Sequence, residues 1–136
     1  MRTRHLLPAA VILVLAGCAS HTKETSLEQT LNAYAGTIRW GDMASAMQYV
    51  DPKVLKANPP SELQLARYQH VRVSGYDTAG PLPVSETEVH QRVQIGLINI
   101  HTQHQRSIID NQVWKYDPQA QRWWLESGLP DIAPAQ

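Results

Sequence analysis

The stretch Glu86–Ile100, ETEVHQRVQIGLINI, decides the fold of this chain. Several of its apolar residues fall on alternate positions, which is the pattern of a strand with one buried face: Val89, Val93, Ile95 and Leu97. Ile98 and Ile100 have the opposite parity, and Gly96 stands where the pattern slips. Because glycine at such a slip is typical of a β-bulge or a bend, we predict a long strand that is distorted near Gly96.

Further strands flank this one. The polar segment His101–His104 is expected to turn the chain, Asp117-Pro118 starts a second tight turn, and Ala79–Pro83 is expected to be a rigid connection. The remaining predicted strands are Tyr68–Tyr76, Gln105–Tyr116 and Gln121–Ser127. The sequence therefore predicts about four antiparallel strands.

Helical periodicity precedes the strands. Capping-box spacing at Thr25 or Ser26 predicts the start of a helix, and Gly41 ends it. The apolar stripe of this helix, with Ala35 beside it, is Leu27, Leu31, Tyr34 and Ile38. Asp42 is placed to cap a second helix that stops at Asp51-Pro52, with the inner face Met43, Ala46, Met47 and Val50. A short further turn can include Val54 and Leu55. Helices followed by strands predict an α+β fold, with the helices packed on one face of the sheet.

The N-terminus carries the pattern of a secretory signal peptide. Arg2 and Arg4 precede an uncharged run, Leu6–Gly17, which is shorter than the roughly 20 residues that a membrane-spanning helix needs. The run ends in Leu15-Ala16-Gly17-Cys18, which resembles the lipobox of bacterial lipoproteins, and Cys18 is the only cysteine. The resemblance implies cleavage before Cys18 and acylation of that residue. Since Ala19 rather than aspartate follows the cysteine, the resemblance implies that the protein is anchored at the periplasmic face of the outer membrane rather than in the inner membrane.

Cleavage at this point sets the domain organisation. We expect a signal peptide at 1–17, an acylated cysteine and tether at 18–25, an α+β domain at 26–130 and a flexible tail at 131–136. The signal contains two of the 12 basic residues and none of the 12 acidic ones, so the mature chain has a net charge of −2. This balance gives no electrostatic footprint for nucleic acid. With its one thiol acylated, the domain has no disulfide.

Two groups of motifs resemble small domains of the nuclear-transport-factor-2-like superfamily. The paired opening helices are represented by Ile38-Arg39-Trp40-Gly41-Asp42 and Met47-Gln48-Tyr49-Val50-Asp51-Pro52, and the final hairpin by Gln112–Asp117, Arg122–Leu125 and Gly128–Pro130. The resemblance implies a cone, in which a curved antiparallel sheet wraps around the long first helix and often leaves a pocket at its open end. The superfamily contains isomerases and dehydratases as well as members that only bind or dimerise, so that the fold does not fix the function.

Few residues are candidates for chemistry. Asp110 is in phase with Trp114, and a carboxylate beside an indole can act as a general base when burial raises its pKa. His101 and His104 form an H-x-x-H pair, but in a turn without cysteine we interpret them as solvated side chains. We interpret His90 and Arg92 as members of a solvated strand face. No metal site and no cofactor is predicted.

The adjacent residues Trp123 and Trp124 must point to opposite faces of their strand. Trp123 shares its parity with Leu125, whereas Trp124 shares it with Arg122 and Glu126, so Trp123 is assigned to the interior. An exposed Trp124 would suit an interface with a second copy or with an envelope protein.

Two functional classes follow from the sequence. The first is a membrane-anchored envelope lipoprotein that works as a non-enzymatic binding or interaction module. The alternative is a small isomerase- or dehydratase-like enzyme that uses a pocket carboxylate. No nucleophile elbow or phosphate loop is present in the sequence, which favours the first class.

Overall fold

The computed structural model describes residues 16–134, with side chains from residue 22 onward. Helices come first: α1 (Ala16–Trp40), a 3₁₀ helix (Met43–Tyr49), α2 (Pro52–Ala57) and α3 (Glu62–Gln69). The strands follow as β1 (Val71–Thr78), β2 (Leu82–Ser85), β3 (Glu88–Asn99), β4 (Gln105–Asp117) and β5 (Arg122–Leu125). This order confirms the predicted α+β class. Residues 1–15 of the predicted signal, including Leu15, lie outside the described residues, and nothing is described of the side chains of Ala16, Gly17 and Cys18.

The helix α1 presents the predicted stripe to the core. Leu31, Tyr34 and Ile38 are buried, and Leu27 packs against them. The helix begins at Ala16 rather than at Thr25 or Ser26, so the segment 18–25, expected to be an irregular tether, is helical. Lys23 is held to the rest of the domain because its carbonyl accepts a hydrogen bond from Trp123 Nε1 at 3.2 Å.

The second and third helical segments differ from the prediction in detail. The predicted second helix is a 3₁₀ helix, and Asp42 caps it as expected by accepting from the Ala44 N–H at 3.0 Å. The helix α3 was not predicted, and it places Tyr68 in a helix instead of at the start of a strand. Its N-cap is Ser61, whose hydroxyl accepts from the Gln64 N–H, and the double proline before it obscures the short apolar pattern.

The strands form one antiparallel sheet in the order β1–β3–β4–β5. The short strand β2 also pairs with β3, at the same edge of the sheet as β1. The predicted irregularity near Gly96 is a bulge in the partner strand β1, where the register shifts between Val73 and Gly75. A Cβ on Gly96 would lie 2.6 Å from Ser74 Oγ and 3.2 Å from the Gly75 nitrogen. The glycine is therefore required because the bulge brings the strands into close approach.

The core lies between α1 and the concave face of the strongly curled sheet. Because α1 contacts both β1 and β5, at opposite edges, the sheet must curl around the helix. This helix on a curled antiparallel sheet is compatible with a nuclear-transport-factor-2-like cone. Within residues 16–134 no helix has both the length and the apolar character to span a membrane.

The prediction of a flexible tail at 131–136 does not hold for its described residues, 131–134. Ile132 is buried in the core, and Arg106 donates a hydrogen bond from Nη2 to its carbonyl oxygen. Just before it, the buried Pro130 accepts the hydroxyl of Tyr68 at 2.7 Å. Asp131–Pro134 therefore completes the fold instead of fraying, because one apolar side chain in this polar segment finds a place in the core.

Candidate functional site

The concave face of the sheet carries a connected set of polar side chains inside an otherwise apolar core. Asp110, Gln112 and Trp114 alternate along β4 and all point inward, and Gln91 lies opposite Gln112 on β3. All four are buried in the domain interior, so the Asp110 carboxylate lies on the same inner face as Trp114.

Gln112 is the centre of this network. Its amide nitrogen donates to Asp110 Oδ2 at 2.8 Å and to the Tyr76 hydroxyl at 3.0 Å. Its amide oxygen accepts from Trp114 Nε1 at 3.1 Å and from Gln91 Nε2 at 3.3 Å. Because an amide has two N–H donors and two acceptor lone pairs, every hydrogen-bonding position of Gln112 is used. The network therefore fixes the rotamers of its members.

Burial makes the ionisable members of the interior hard to charge. Burial raises the pKa of Asp110, and the hydrogen bond from Gln112 opposes that rise only in part. Burial also raises the pKa of Tyr68 and of Tyr76 to about 12, and that of Tyr34 above its usual range. The Asp110 carboxylate adds to all three rises. Among the described residues, the buried hydroxyl of Tyr34 has no hydrogen-bond partner.

A groove of about 510 Å³ runs beside α1, and we call it the α1 groove. Its apolar lining from the helix is Leu27, Leu31 and Ala35. Across from them lie Tyr76 and Gln91 on the sheet, together with Thr78, Gly80 and Pro81; the exposed acidic residues on its helix side are Glu24 and Glu28. This composition, mostly apolar with a few polar groups, is that of a small-molecule site.

Asp110 does not line the α1 groove. It is linked to the groove only through Gln112, which contacts the two lining residues Tyr76 and Gln91. A ligand in the groove can therefore exchange hydrogen bonds with Tyr76 and Gln91, whereas the carboxylate lies one residue further inside. Sequence reasoning missed Gln91, Gln112 and Tyr76. The parity of Gln91 with Val89 and Val93 was the signal that could have placed it on the inner face.

The tryptophan pair lies as its parity predicts. Trp123 is 2% exposed and packs against Tyr116, with 5.3 Å between ring centroids. Trp124 lies on the outer face, half-buried, with the Arg122 guanidinium 3.8 Å from its ring centre. Its role at an interface stays a prediction.

The histidines of the H-x-x-H pair do not face each other as a ligand pair. His101 Nε2 lies 2.9 Å from His70 Nδ1, a partner that the sequence did not indicate. His90 is exposed and contacts Glu88 Oε1 at 2.7 Å. In residues 16–134, no group of three or more His, Cys, Asp or Glu side chains is arranged to hold a metal ion.

Comparison with known proteins gives no relative for this chain. No protein family, no curated protein and no solved structure matches it.

Proposed function

We propose that this chain is a lipid-anchored envelope lipoprotein whose domain is a non-enzymatic binding module for a small, largely apolar molecule. The observation that carries the binding role is the α1 groove, with Leu27, Leu31 and Ala35 on one side and the hydrogen-bonding groups of Tyr76 and Gln91 on the other. Its volume lies within the range of ligand sites, roughly 300–1,000 Å³.

Preorganisation supports this role. The phenol of Tyr76 and the amide of Gln91 are both held by Gln112, so that neither has to be ordered when a ligand arrives. Fixing polar groups before binding lowers the entropic cost of association. Such a site favours a molecule with an apolar body and one polar group that contacts Tyr76 or Gln91.

The anchoring part of the proposal rests on Leu15-Ala16-Gly17-Cys18 and on the uncharged run before it. Two or three acyl chains on one residue hold a protein firmly, since each buried methylene contributes about 0.8 kcal/mol. In bacteria fed an alkyne fatty acid, the wild-type chain and a Ser20→Ala control should be labelled and Cys18→Ser should not. Equal labelling of Cys18→Ser would remove the lipoprotein part of the proposal.

The binding part is tested on the full chain in a nonionic detergent, with indole as the probe and methyl signals of the protein as the readout. Indole should shift the methyl signals of Leu27, Leu31 and Ala35 and leave those of Val113 unchanged. Ala35→Phe fills the groove and should remove these shifts. Ala33→Phe places the same ring on the exposed face of α1 and is the matched control. Shifts that are equal in the two variants would refute binding in the groove.

One observation favours a second candidate, an isomerase- or dehydratase-like enzyme. The pKa of Asp110 is raised, and the Tyr34 hydroxyl in the same interior has no partner in the described part of the chain. Raised carboxyl pKa values are found where general acids and bases work. Isomerisation of a β,γ-unsaturated ketone by the wild-type chain, lost in Asp110→Asn, would establish this candidate. The binding proposal predicts no turnover, because Asp110 does not reach the groove.

A further inference from the structure

A second groove of about 500 Å³ lies around the turn between β3 and β4, and we call it the β3–β4 groove. It is formed by the end of α3, the start of β1, the β3–β4 turn, the start of β4 and the C-terminal segment. Its basic lining residues are Arg67, His70, His101, His104 and Arg106. No acidic side chain is among the residues that line it. In a domain of nearly balanced charge, this concentration of one sign marks a site for anions.

The two arginines of the groove are free to accept a ligand. Arg67 makes no side-chain hydrogen bond or ion pair within residues 22–134 that the structure describes, and no carboxylate there lies within 4.0 Å of either guanidinium. Arg106 donates to the carbonyl of Ile132, which orients its side chain. Since a guanidinium has five N–H donors, Arg106 keeps donors for a carboxylate.

Two histidines of the groove contact each other. The 2.9 Å between His70 Nδ1 and His101 Nε2 fits one N–H shared between the two rings, which ties the β3–β4 turn to the end of α3. In the described part of the C-terminal segment, 131–134, the Asp131 carboxylate accepts from the Ala133 N–H and does not line the groove.

The remaining lining makes the groove amphiphilic. Val71 is half-buried and Pro134 is exposed, and together they present apolar surface above the almost fully buried Leu97 and Ile132. A bare inorganic anion would leave the surface of Val71 and Pro134 in contact with water, whereas an aliphatic chain attached to the anionic group would cover it. The concave shape favours a single small molecule over the flat surface of a bilayer.

We propose that the β3–β4 groove binds a small organic anion, a carboxylate with a short aliphatic chain. The carboxylate is held by Arg67 and Arg106, and the chain lies on Val71 and Pro134. This site shares no lining residue with the α1 groove, so it can be tested independently of the function proposed above.

The test is a calorimetric titration of the full chain in a nonionic detergent with hexanoate, hexanamide and inorganic phosphate. Hexanoate should bind at least tenfold more tightly than hexanamide, which has the same shape without the charge, and more tightly than phosphate, which lacks the chain. Phosphatidylglycerol added to the micelles should not compete with hexanoate.

The variants locate the binding. Arg67→Gln should weaken hexanoate about tenfold or more without a change in fold, because the Arg67 side chain has no hydrogen-bond or ion-pair partner among the described residues 22–134. Arg92→Gln removes the same charge from the outer face of the sheet and should bind like the wild type. Equal affinity for hexanamide, equal affinity of the Arg67 and Arg92 variants, or competition by phosphatidylglycerol would overturn the proposal.

Discussion

Truncation of the two adjacent tryptophans should have very different costs. In the wild type Trp123 is 2% exposed, packs on Tyr116 and donates its indole N–H to the carbonyl of Lys23. Trp123→Ala removes a core aromatic side chain, which costs about 3–5 kcal/mol. Removal of the indole hydrogen bond puts the expected loss in the upper half of that range, since such a bond contributes about 0.5–1.5 kcal/mol.

Trp124 should contribute much less to the free energy of unfolding. It lies on the outer face beneath the Arg122 guanidinium, and such a contact is worth about 0.5–1 kcal/mol at an exposed site. We therefore expect Trp124→Ala to cost about 1 kcal/mol. If Trp124 also anchors an interface, this variant should reduce self-association or partner binding while it stays folded.

The measurement is thermal unfolding of both full-length variants, followed by sedimentation under the same conditions. At roughly 4 °C per kcal/mol for a domain of this size, Trp123→Ala should lower Tm by about 16–20 °C and Trp124→Ala by about 4 °C. Trp123→Phe keeps the ring contact with Tyr116 and should fall between them. A larger loss from Trp124→Ala than from Trp123→Ala would refute the assignment of the two faces.

Three further variants test the core, the bulge and the buried acid. Ile38→Ala, at a position 2% exposed, should cost about 2–5 kcal/mol in chemical denaturation, and a midpoint equal to the wild type would contradict the placement of α1. Gly96→Ala should cost about 1–3 kcal/mol through the clash with Ser74 Oγ, and adding Ser74→Ala should recover part of that loss. Because the pKa of Asp110 is raised in the folded state, the folded chain binds its proton more tightly, so stability should fall as pH rises from the ordinary aspartate pKa of 3.8 through the folded pKa. Asp110→Asn should remove this dependence and be more stable than the wild type at neutral pH; an unchanged pH profile of unfolding would contradict the buried carboxyl.

The features predicted correctly from the sequence are those that periodicity fixes locally. The stripe through Leu31 and Ile38, the inward parity of β3 and the faces of Trp123 and Trp124 depend only on residue spacing along one element. The helix α3 and the strand β2 were missed because prolines interrupt them or stand beside them, which hides a short pattern.

The polar interior was harder to predict because its stability depends on residues that are distant in sequence. Parity can place Gln91 on the inner face of β3, but the pairing of β3 with β4 is what puts it opposite Gln112, to which it donates a hydrogen bond. His70 and His101 meet for a similar reason, since the Ile100 N–H donates to the carbonyl of His70 and holds the turn against the end of α3. These partnerships depend on tertiary pairing, which no local pattern contains.

The bond between Trp123 and Lys23 joins residues 100 positions apart, and this separation has a consequence for synthesis. A ribosome makes α1 before the strands, and part of the surface of that helix is covered by β5, which emerges late. Contacts of such long sequence separation form slowly and cannot form before both partners exist. The nascent chain therefore keeps α1 partly uncovered until β5 has been made, and transiently exposed apolar surface of this kind is prone to aggregation.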